Sequence, residues 1–314
     1  MSNTSHSFYS FLHIKYWPTW LGLGLLRLLA LLPYAVQIHI GKLIGRLSYT
    51  FMPKRRNIVQ TNIRLCFPQL SQSEQQALVK SAFASTGIAV LEVGMSWWAP
   101  KKSIQSLHSI EGLEHLNSAL AQNKGVILLV SHFTTMEIAG TFLGTHTDKL
   151  KVVYKYSHNP LFEWFLQRKR LQNCAGLLKH KNLRDIVRAI KAGDVVWYSP
   201  DQDFGEKDSV FAPFMGVQTC TLISTQKLAK ISQAPVVPFF AKRHSETGKY
   251  TLYFDTALKD FPSNNSIADA TKVNAAIEQQ ILKAPEQYLW IHRRFKSRPK
   301  GEKDVYSIQE TAND

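Results

Sequence analysis

Short apolar runs alternate with stretches of helical periodicity along most of the chain. Strands are predicted at residues 125–132, 150–157, 194–200, 234–242 and 249–256. Helices are predicted at residues 71–98, 134–144, 160–173, 181–192, 219–232 and 266–283. Strands that alternate with helices of this length predict an α/β fold, a layered mixed sheet flanked by helices.

The first of these helices, 71–98, has a recognisable start. Ser71 or Ser73 can cap it, and Glu74 falls in its first turn, which is the usual composition of a helix N-terminus. No internal repeat or low-complexity linker interrupts the chain. We therefore predict three parts: a membrane anchor with its juxtamembrane segment at 1–50, one α/β domain at 51–298, and a loose polar tail at 299–314.

The anchor prediction rests on one apolar segment, residues 17–36, "WPTWLGLGLLRLLALLPYAV". Twenty such residues are enough to cross a hydrocarbon core of about 30 Å as a helix. Arg27 is costly at the centre of a bilayer and Pro33 would distort the helix, so an interfacial helix and a buried soluble helix stay open as alternatives. Few basic residues precede the segment and no clean cleavage site follows, which argues against a removed signal peptide.

Basic residues follow this segment more often than they precede it. Only Lys15 lies shortly before it, whereas five lie after it: Lys42, Arg46, Lys54, Arg55 and Arg56. This bias predicts that the bulk of the chain faces the cytoplasm. The same cluster can be a solvated loop or can rest on anionic lipid headgroups.

The whole chain is strongly basic, with a formal charge of +15 and a pI near 9.7. Such a charge predicts an anionic partner: nucleic acid, an acidic protein or phospholipid. The sequence has no helix-turn-helix, zinc or RNP pattern, which disfavours nucleic acid. Cys66, Cys174 and Cys220 are widely spaced and odd in number, so we expect reduced thiols and no structural zinc.

The stretch "ILLVSHFTTMEIAG" places His132 and Glu137 where an apolar run gives way to a helical pattern. Thr134 followed by Glu137 fits a capping box, which would make both ordinary residues of a helix start. Alternatively, the imidazole is a general base and the carboxylate orients it. No GxSxG motif or nearby cysteine supplies a nucleophile, so the second interpretation suits acyl transfer to a substrate hydroxyl, or an esterase that activates water.

"SHFTTME" resembles the H-x4-D/E block of glycerolipid and lipid A acyltransferases. Further segments resemble the late acyltransferases of lipid A biosynthesis, the lauroyl and myristoyl enzymes, in the same order across roughly residues 125–298. These segments are "YSHNPLFEWFLQRKR", "SPDQDFGEKDSVFAPFMGVQT", "APVVPFF" and "YLWIHRRFKSRP".

The resemblance implies a glycerol-3-phosphate-acyltransferase-like fold at the bacterial inner membrane, with the catalytic domain facing the cytoplasm. It implies that His132 is the base and Glu137 its partner, and that no covalent acyl-enzyme, cofactor or metal takes part. The donor would be a medium-chain acyl carrier protein thioester, lauroyl in preference to myristoyl. The acceptor would be a hydroxyacyl chain of a lipid A precursor.

The resemblance also suggests roles for charged residues further along the chain. Arg170 would stabilise the oxyanion, unless it belongs with Arg168 and Lys169 to a solvated basic helix face. Asp201 would fix Arg170 or contact the substrate headgroup, although Asp203 is equally available as a turn residue.

Two further groups have both structural and functional interpretations. Phe214 and Gly216 in "PFMG" resemble the block that shapes the acyl or acceptor pocket, but a buried aromatic and a turn glycine would look the same. Arg293, Arg294 and Lys296 in "HRRFK" form either a solvated charge run or a clamp for anionic substrate or membrane groups.

Three rival functions remain at this point. One is an acyltransferase with a glycerolipid or other membrane lipid as acceptor. The others are a non-catalytic membrane scaffold and a basic nucleic-acid-binding protein, which pI alone would suggest.

Overall fold

A computed structural model describes residues 8–307 of the chain, and its centre is a seven-stranded mixed sheet in the order β1-β9-β8-β2-β5-β3-β4. The strands of this sheet are β1 (His108–Glu111), β2 (Val126–Val130), β3 (Leu150–Tyr154), β4 (Gly176–Lys179), β5 (Val195–Tyr198), β8 (Val236–His244) and β9 (Lys249–Phe254). A separate hairpin consists of β6 (Ser209–Phe214) and β7 (Val217–Leu222).

Eleven α-helices lie in the described part of the chain. They are α1 (Trp17–Leu29), α2 (Tyr34–Phe51), α3 (Pro53–Cys66), α4 (Gln72–Trp98), α5 (Lys101–Gln105), α6 (Leu113–Leu120), α7 (Met136–Leu143), α8 (Pro160–Arg170), α9 (Leu183–Lys191), α10 (Ser224–Ser232) and α11 (Ser266–Lys283). Short 3₁₀ turns occupy Phe8–Leu12, Ile14–Tyr16 and Pro285–Gln287.

Five strands of the sheet, β8, β2, β5, β3 and β4, run parallel to one another. Strand β9 pairs with β8 in antiparallel orientation, and β1 pairs with β9 in parallel orientation at the edge of the sheet. The carboxyl ends of β2, β3 and β5 therefore meet at one edge of the sheet, where α/β proteins usually place their ligand sites.

Both faces of the sheet are covered at its centre, so strands β2 and β5 are apolar and buried at every position. On β2, Ile127 and Leu129 pack with α3, α9, α10 and α11, whereas Leu128 and Val130 pack with α6 and α7. The sheet thus lies between two helical layers, which confirms the predicted layered mixed sheet.

The five predicted strands are all present, and the helix predicted at 266–283 is α11. The helix predicted at 219–232 is wrong in its first part, because residues up to Leu222 belong to β7. The hairpin turns on Met215 and Gly216, whose φ angles of 49° and 78° are those of a tight two-residue turn. Short strands β1 and β4 were not predicted.

The apolar segment 17–36 is not one helix. Helix α1 ends at Leu29 and Pro33 precedes α2, so the 13 residues of α1 span only about 20 Å. This corrects the expectation of a single spanning helix over 17–36. Among the described helices, α4 alone is long and apolar enough to cross a membrane by length and composition. More than half of its apolar stretch is buried within the protein, as in the core helix of a soluble protein.

Glycines bring α2 and α4 into direct backbone contact. A Cβ atom on Gly87 of α4 would lie 2.1 Å from the carbonyl oxygen of Gly41 and 2.5 Å from the amide nitrogen of Gly45, both on α2. The spacing Gly41-x3-Gly45 is the small-residue pattern that allows helices to approach closely. The start of α4 is also as predicted, because Ser71 and Glu74 form a capping box.

Residues 285–307, the C-terminal segment, run across the edge of the sheet where β2 ends. The carbonyl of Gln287 accepts from the amide of Thr134 at 2.7 Å, and the amide of Leu289 donates to the carbonyl of His132 at 2.8 Å. Further along, Tyr306 is buried and donates to Asn62 at 2.6 Å. The expected loose tail is therefore packed as far as Tyr306, and its last residues, 308–314, lie outside the described part.

Candidate active site

His132 and Asp201 are joined by two hydrogen bonds at the carboxyl edge of the sheet. His132 follows β2 and Asp201 follows β5, its parallel neighbour. Asp201 is buried, and its two oxygens bind the Nδ1 of His132 at 2.6 Å and the amide of His132 at 2.8 Å. The sheet thus holds the imidazole from both its ring and its backbone.

The electrostatics of this pair define which ring nitrogen is basic. Burial alone would raise the pKa of Asp201, but the charge and hydrogen bonds of His132, with help from Arg294, hold it below its usual value. The carboxylate is therefore ionised and accepts the Nδ1 proton, which leaves the lone pair on Nε2. Burial would lower the pKa of His132, but the charge and hydrogen bond of Asp201 raise it above its ordinary value.

Glu137 does not hold the imidazole, contrary to the sequence prediction. Its carboxylate accepts hydrogen bonds from Arg170, at 3.2 Å from Nε and 2.6 Å from Nη2, and from the indole of Trp97 at 3.1 Å. Within residues 8–307 no hydrogen bond joins Glu137 to His132. The reason is topological: Asp201 on the adjacent strand end reaches Nδ1 directly, whereas Glu137 faces α8 from the first turn of α7.

The capping-box alternative is not what the structure contains either. The hydroxyl of Thr134 is hydrogen-bonded to Ser85 at 2.7 Å, and Thr135, the N-cap of α7, makes no side-chain cap. Thr135 instead donates to the carbonyl of Ala241 at 2.6 Å. Glu137 is thus committed to an ion pair with Arg170.

The three basic residues that end α8 have separate environments. Arg168 is exposed and lies over the ring of Trp164, 4.2 Å from its centroid. Lys169 donates to the carbonyl of Trp97 at 2.8 Å. Arg170 is mostly buried, and although burial opposes its charge, Glu137 raises its pKa. Arg170 is therefore distinct from a solvated basic face.

Asp201 and Asp203, which the sequence could not separate, have different partners. The carboxylate of Asp203 accepts from the amides of Ser297 and Gly205 at 2.7 Å and 2.8 Å. Asp203 thus fastens the C-terminal segment, whereas Asp201 serves His132. The expectation that Asp201 fixes Arg170 is corrected.

A cavity of about 940 Å³ opens beside this edge. His132, Glu137 and Arg170 line it together with Trp97 and Tyr154. Trp97 comes from the far end of α4, and no local signal in the sequence connects it with Glu137. Asp201 could have been paired with His132 from the predicted strands, because neighbouring parallel strands end at the same edge.

Phe214 and Gly216 are not among the residues that line this cavity. Phe214 is fully buried, and its neighbours are the rings of Tyr288 and Phe295. Gly216 completes the hairpin turn. The structure thus places these residues in the core and the turn, apart from the pocket that the resemblance implied for them.

The basic run "HRRFK" is divided between surface and interior. Arg293 and Lys296 are exposed and free to meet an anion. Arg294 is buried, donates to the carbonyl of Cys220 at 2.7 Å and lies over the ring of Phe214. Its predicted role as a surface clamp is corrected, because a guanidinium enclosed in this way cannot contact a membrane or a large substrate.

His292, beside the two aspartates, is a second histidine of the site that the sequence did not single out. Burial lowers its pKa to about 4, so it is neutral near pH 7. Its Nε2 accepts a hydrogen bond from the amide of Asp203 at 3.2 Å. This bond ties the C-terminal segment to the loop that carries the two aspartates. Within the described residues no group of three or more His, Cys, Asp and Glu side chains is arranged to hold a metal.

Comparisons with known proteins agree with the resemblance. A family model described as bacterial lipid A biosynthesis acyltransferase matches residues 5–297. The chain is 39% identical to a lipid A biosynthesis palmitoleoyltransferase of Escherichia coli over 94% of its length and 96% of the relative. It is 37% identical to the lauroyltransferase of the same organism over 96% and 98% of the two chains, and 29% identical to the myristoyltransferase over 96% and 95%.

The match covers the described domain almost completely, and it includes the His132 edge and the cavity. At least 95% of the length of each of these three relatives is aligned with the chain. The chain therefore belongs to the bacterial lipid A biosynthesis acyltransferase family, and it is an acyltransferase.

Proposed function

We propose that this protein transfers a medium-length acyl group, lauroyl or myristoyl, from acyl carrier protein to a hydroxyacyl chain of a lipid A precursor. One observation carries the mechanism: His132 is held through Nδ1 by an ionised, buried Asp201 and lines a large cavity. Its Nε2 is then the basic atom that meets the substrate.

The reaction begins when Nε2 of His132 removes the proton of the acceptor hydroxyl. The oxygen attacks the thioester carbonyl, and the tetrahedral oxyanion collapses with loss of the carrier thiolate, which takes the proton from the imidazolium. Asp201 stabilises that imidazolium without becoming protonated. Among the described residues no serine or cysteine is hydrogen-bonded to His132, which supports direct transfer.

Arg170 is proposed to stabilise the oxyanion. Its Nε and Nη2 are engaged by Glu137, and within the described chain Nη1 has no hydrogen-bond partner. A fixed guanidinium on the wall of a cavity is a preorganised donor, which is worth more than a mobile one. Glu137 thus acts as a positioning residue for Arg170.

The acceptor phosphates are proposed to bind three lysines at the mouth of the cavity. Lys155, Lys181 and Lys207 follow β3, β4 and β5, line the cavity and are exposed. No ion pair within residues 8–307 engages them. Their charge also suits the acidic surface of acyl carrier protein during approach.

We also propose that the protein works on the cytoplasmic side of the inner membrane. Helix α1 exposes Leu21, Leu25 and Leu28 on one face, and α2 exposes Leu43 and Leu47. Exposed apolar stripes of this kind support an interfacial placement of the two helices. Interfacial helices would bring the cavity to the membrane surface without a helix that spans the bilayer.

Mass spectrometry of the lipid product tests the function. Purified protein is mixed with lauroyl- or myristoyl-acyl carrier protein and a tetraacylated lipid A precursor, and the product is compared for His132→Ala and His158→Ala. His158 is exposed and does not line the cavity, so it is the matched control. We expect one added acyl mass with the unchanged protein and His158→Ala, and none with His132→Ala.

Two results would contradict the proposal. Equal product from His132→Ala would remove His132 as the base. An acyl mass recovered on the protein itself, at a residue whose loss abolishes transfer, would replace direct transfer with a covalent acyl-enzyme.

A further inference from the structure

The cavity has an apolar end that extends well below the carboxyl edge of the sheet. Leu150, Val152 and Tyr154 alternate along β3 and all line the cavity. Successive strand residues rise about 3.3 Å, so the lining continues roughly 13 Å down from Tyr154. Leu150 is fully buried and Trp197 nearly so, which makes this end a lipophilic recess.

Helix α7 lines the same cavity. Met136, Glu137, Gly140 and Thr141 line the cavity, so the glycine lies one turn beyond the residue that holds Arg170. A Cβ atom built on Gly140 would meet no heavy atom within 4 Å. Glycine is unfavourable inside a helix compared with alanine, and its contribution here is the open volume in front of it.

We propose that Gly140 determines the length of the acyl chain that the donor can present. This inference rests on the proposed function. The donor brings one unbranched apolar chain, which matches the recess beneath α7. The acceptor is branched and phosphorylated, and its charges fit the lysine-rich mouth at the other end of the same cavity. A side chain at position 140 would occupy the path of the distal methylenes.

The experiment is a competition among donors. Gly140→Ala, Gly140→Leu and Gly24→Leu are each given equimolar decanoyl-, lauroyl-, myristoyl- and palmitoyl-acyl carrier protein with a tetraacylated lipid A precursor, and product masses are compared. Gly24 is also helical, with no heavy atom within 4 Å of an added Cβ, and it does not line the cavity. Alanine and leucine are better helix formers than glycine, so all three variants should fold.

We expect Gly140→Leu to lower the use of the longest accepted chain about tenfold or more relative to a shorter one, since a poorly fitting methylene costs roughly that factor. Gly140→Ala should shift the ratio in the same direction by less, and Gly24→Leu should leave it unchanged. An active Gly140→Leu protein with the donor ratio of the unchanged protein would overturn the inference, as would an equal loss with every donor. Absence of transfer by the unchanged protein would instead overturn the proposed function itself.

Discussion

At the scale of single residues, the protonation of His132 depends on one carboxylate. Asp201 raises the pKa of this histidine against the effect of burial, and the proposed role of His132 as a base requires an unprotonated Nε2. Activity should therefore fall as the pH drops through the raised pKa. The acidic limb of the pH–rate profile is a direct report on Asp201.

Replacing Asp201 with asparagine removes the charge that raises this pKa. Burial then dominates, so the pKa of His132 falls and the acidic limb of kcat/KM should move to lower pH. The plateau should drop by about a hundredfold or more, because the imidazolium loses its stabilising partner. Asp203→Asn is the control, because within the described residues Asp203 makes no hydrogen bond to His132. The acidic limb of the kcat/KM profile of this variant should stay at the same pH as in the unchanged protein. An unmoved limb in Asp201→Asn would contradict the assignment.

Glu137 and Arg170 should behave as one unit. Glu137→Ala leaves Arg170 free to move from the cavity wall, and Arg170→Ala removes the donor itself, so each should lower kcat strongly. The double variant should be no slower than Arg170→Ala alone, because groups that act through one another are not additive. Steady-state kinetics of the four proteins measure this, with exposed Arg168→Ala as control. Fully multiplicative losses would show that the two residues act independently.

The sequence predicts which residues form the site better than it predicts their contacts. His132, Glu137, Arg170 and Asp201 all come to one site, and three of them line one cavity. Their pairing was not predicted correctly, because the spacing of His132 and Glu137 suggested a contact within one turn. Hydrogen bonds between adjacent strand ends decided the partners instead. Arg294 was misplaced because a basic run gives no sign of which member is buried.

At the scale of elements, the contact between α2 and α4 tolerates no side chain at its centre. Gly87→Ala would place a methyl group 2.1 Å and 2.5 Å from two backbone atoms of α2, much closer than van der Waals contact allows. We expect a loss of about 1–3 kcal/mol in the free energy of unfolding, as for other overpacked interiors. Gly24→Ala, in open space on α1, should not destabilise. Thermal unfolding in detergent compares them, and equal midpoints would contradict the close approach.

The elements themselves were predictable where their pattern was long. Strands β2 and β5 are buried throughout, so they appear as continuous apolar runs. Helix α11 has a clear cap, because Asn265 accepts hydrogen bonds from two amides at its start. The β6–β7 hairpin was missed because "TCTLIS" can alternate in a strand or continue into a helix. Strands β1 and β4 have four residues each and are at most partly buried, so they lack the continuous apolar run that predicted the equally short β5.

At the scale of the molecule, one apolar surface should control membrane binding. The triple change of Leu21, Leu25 and Leu28 to glutamine should weaken partition into vesicles that contain anionic lipid. Each leucine removed from lipid costs about 1.5 kcal/mol or more. The control changes Ile231, Ile267 and Leu282, which are also more than half exposed but lie on α10 and α11. Flotation measures both, and equal loss in the two proteins would show that α1 is not the docking face.

The C-terminal segment carries a consequence for the biosynthesis of this protein. It supplies the carbonyl and amide that hold the turn around His132, yet of all parts of the site it leaves the ribosome last. Helices α1 and α2, with their exposed leucines, emerge before it and are available to lipid while translation continues. If the two helices bind lipid as proposed, membrane binding can precede completion of the site, and the unfinished polypeptide would be inactive as an acyltransferase.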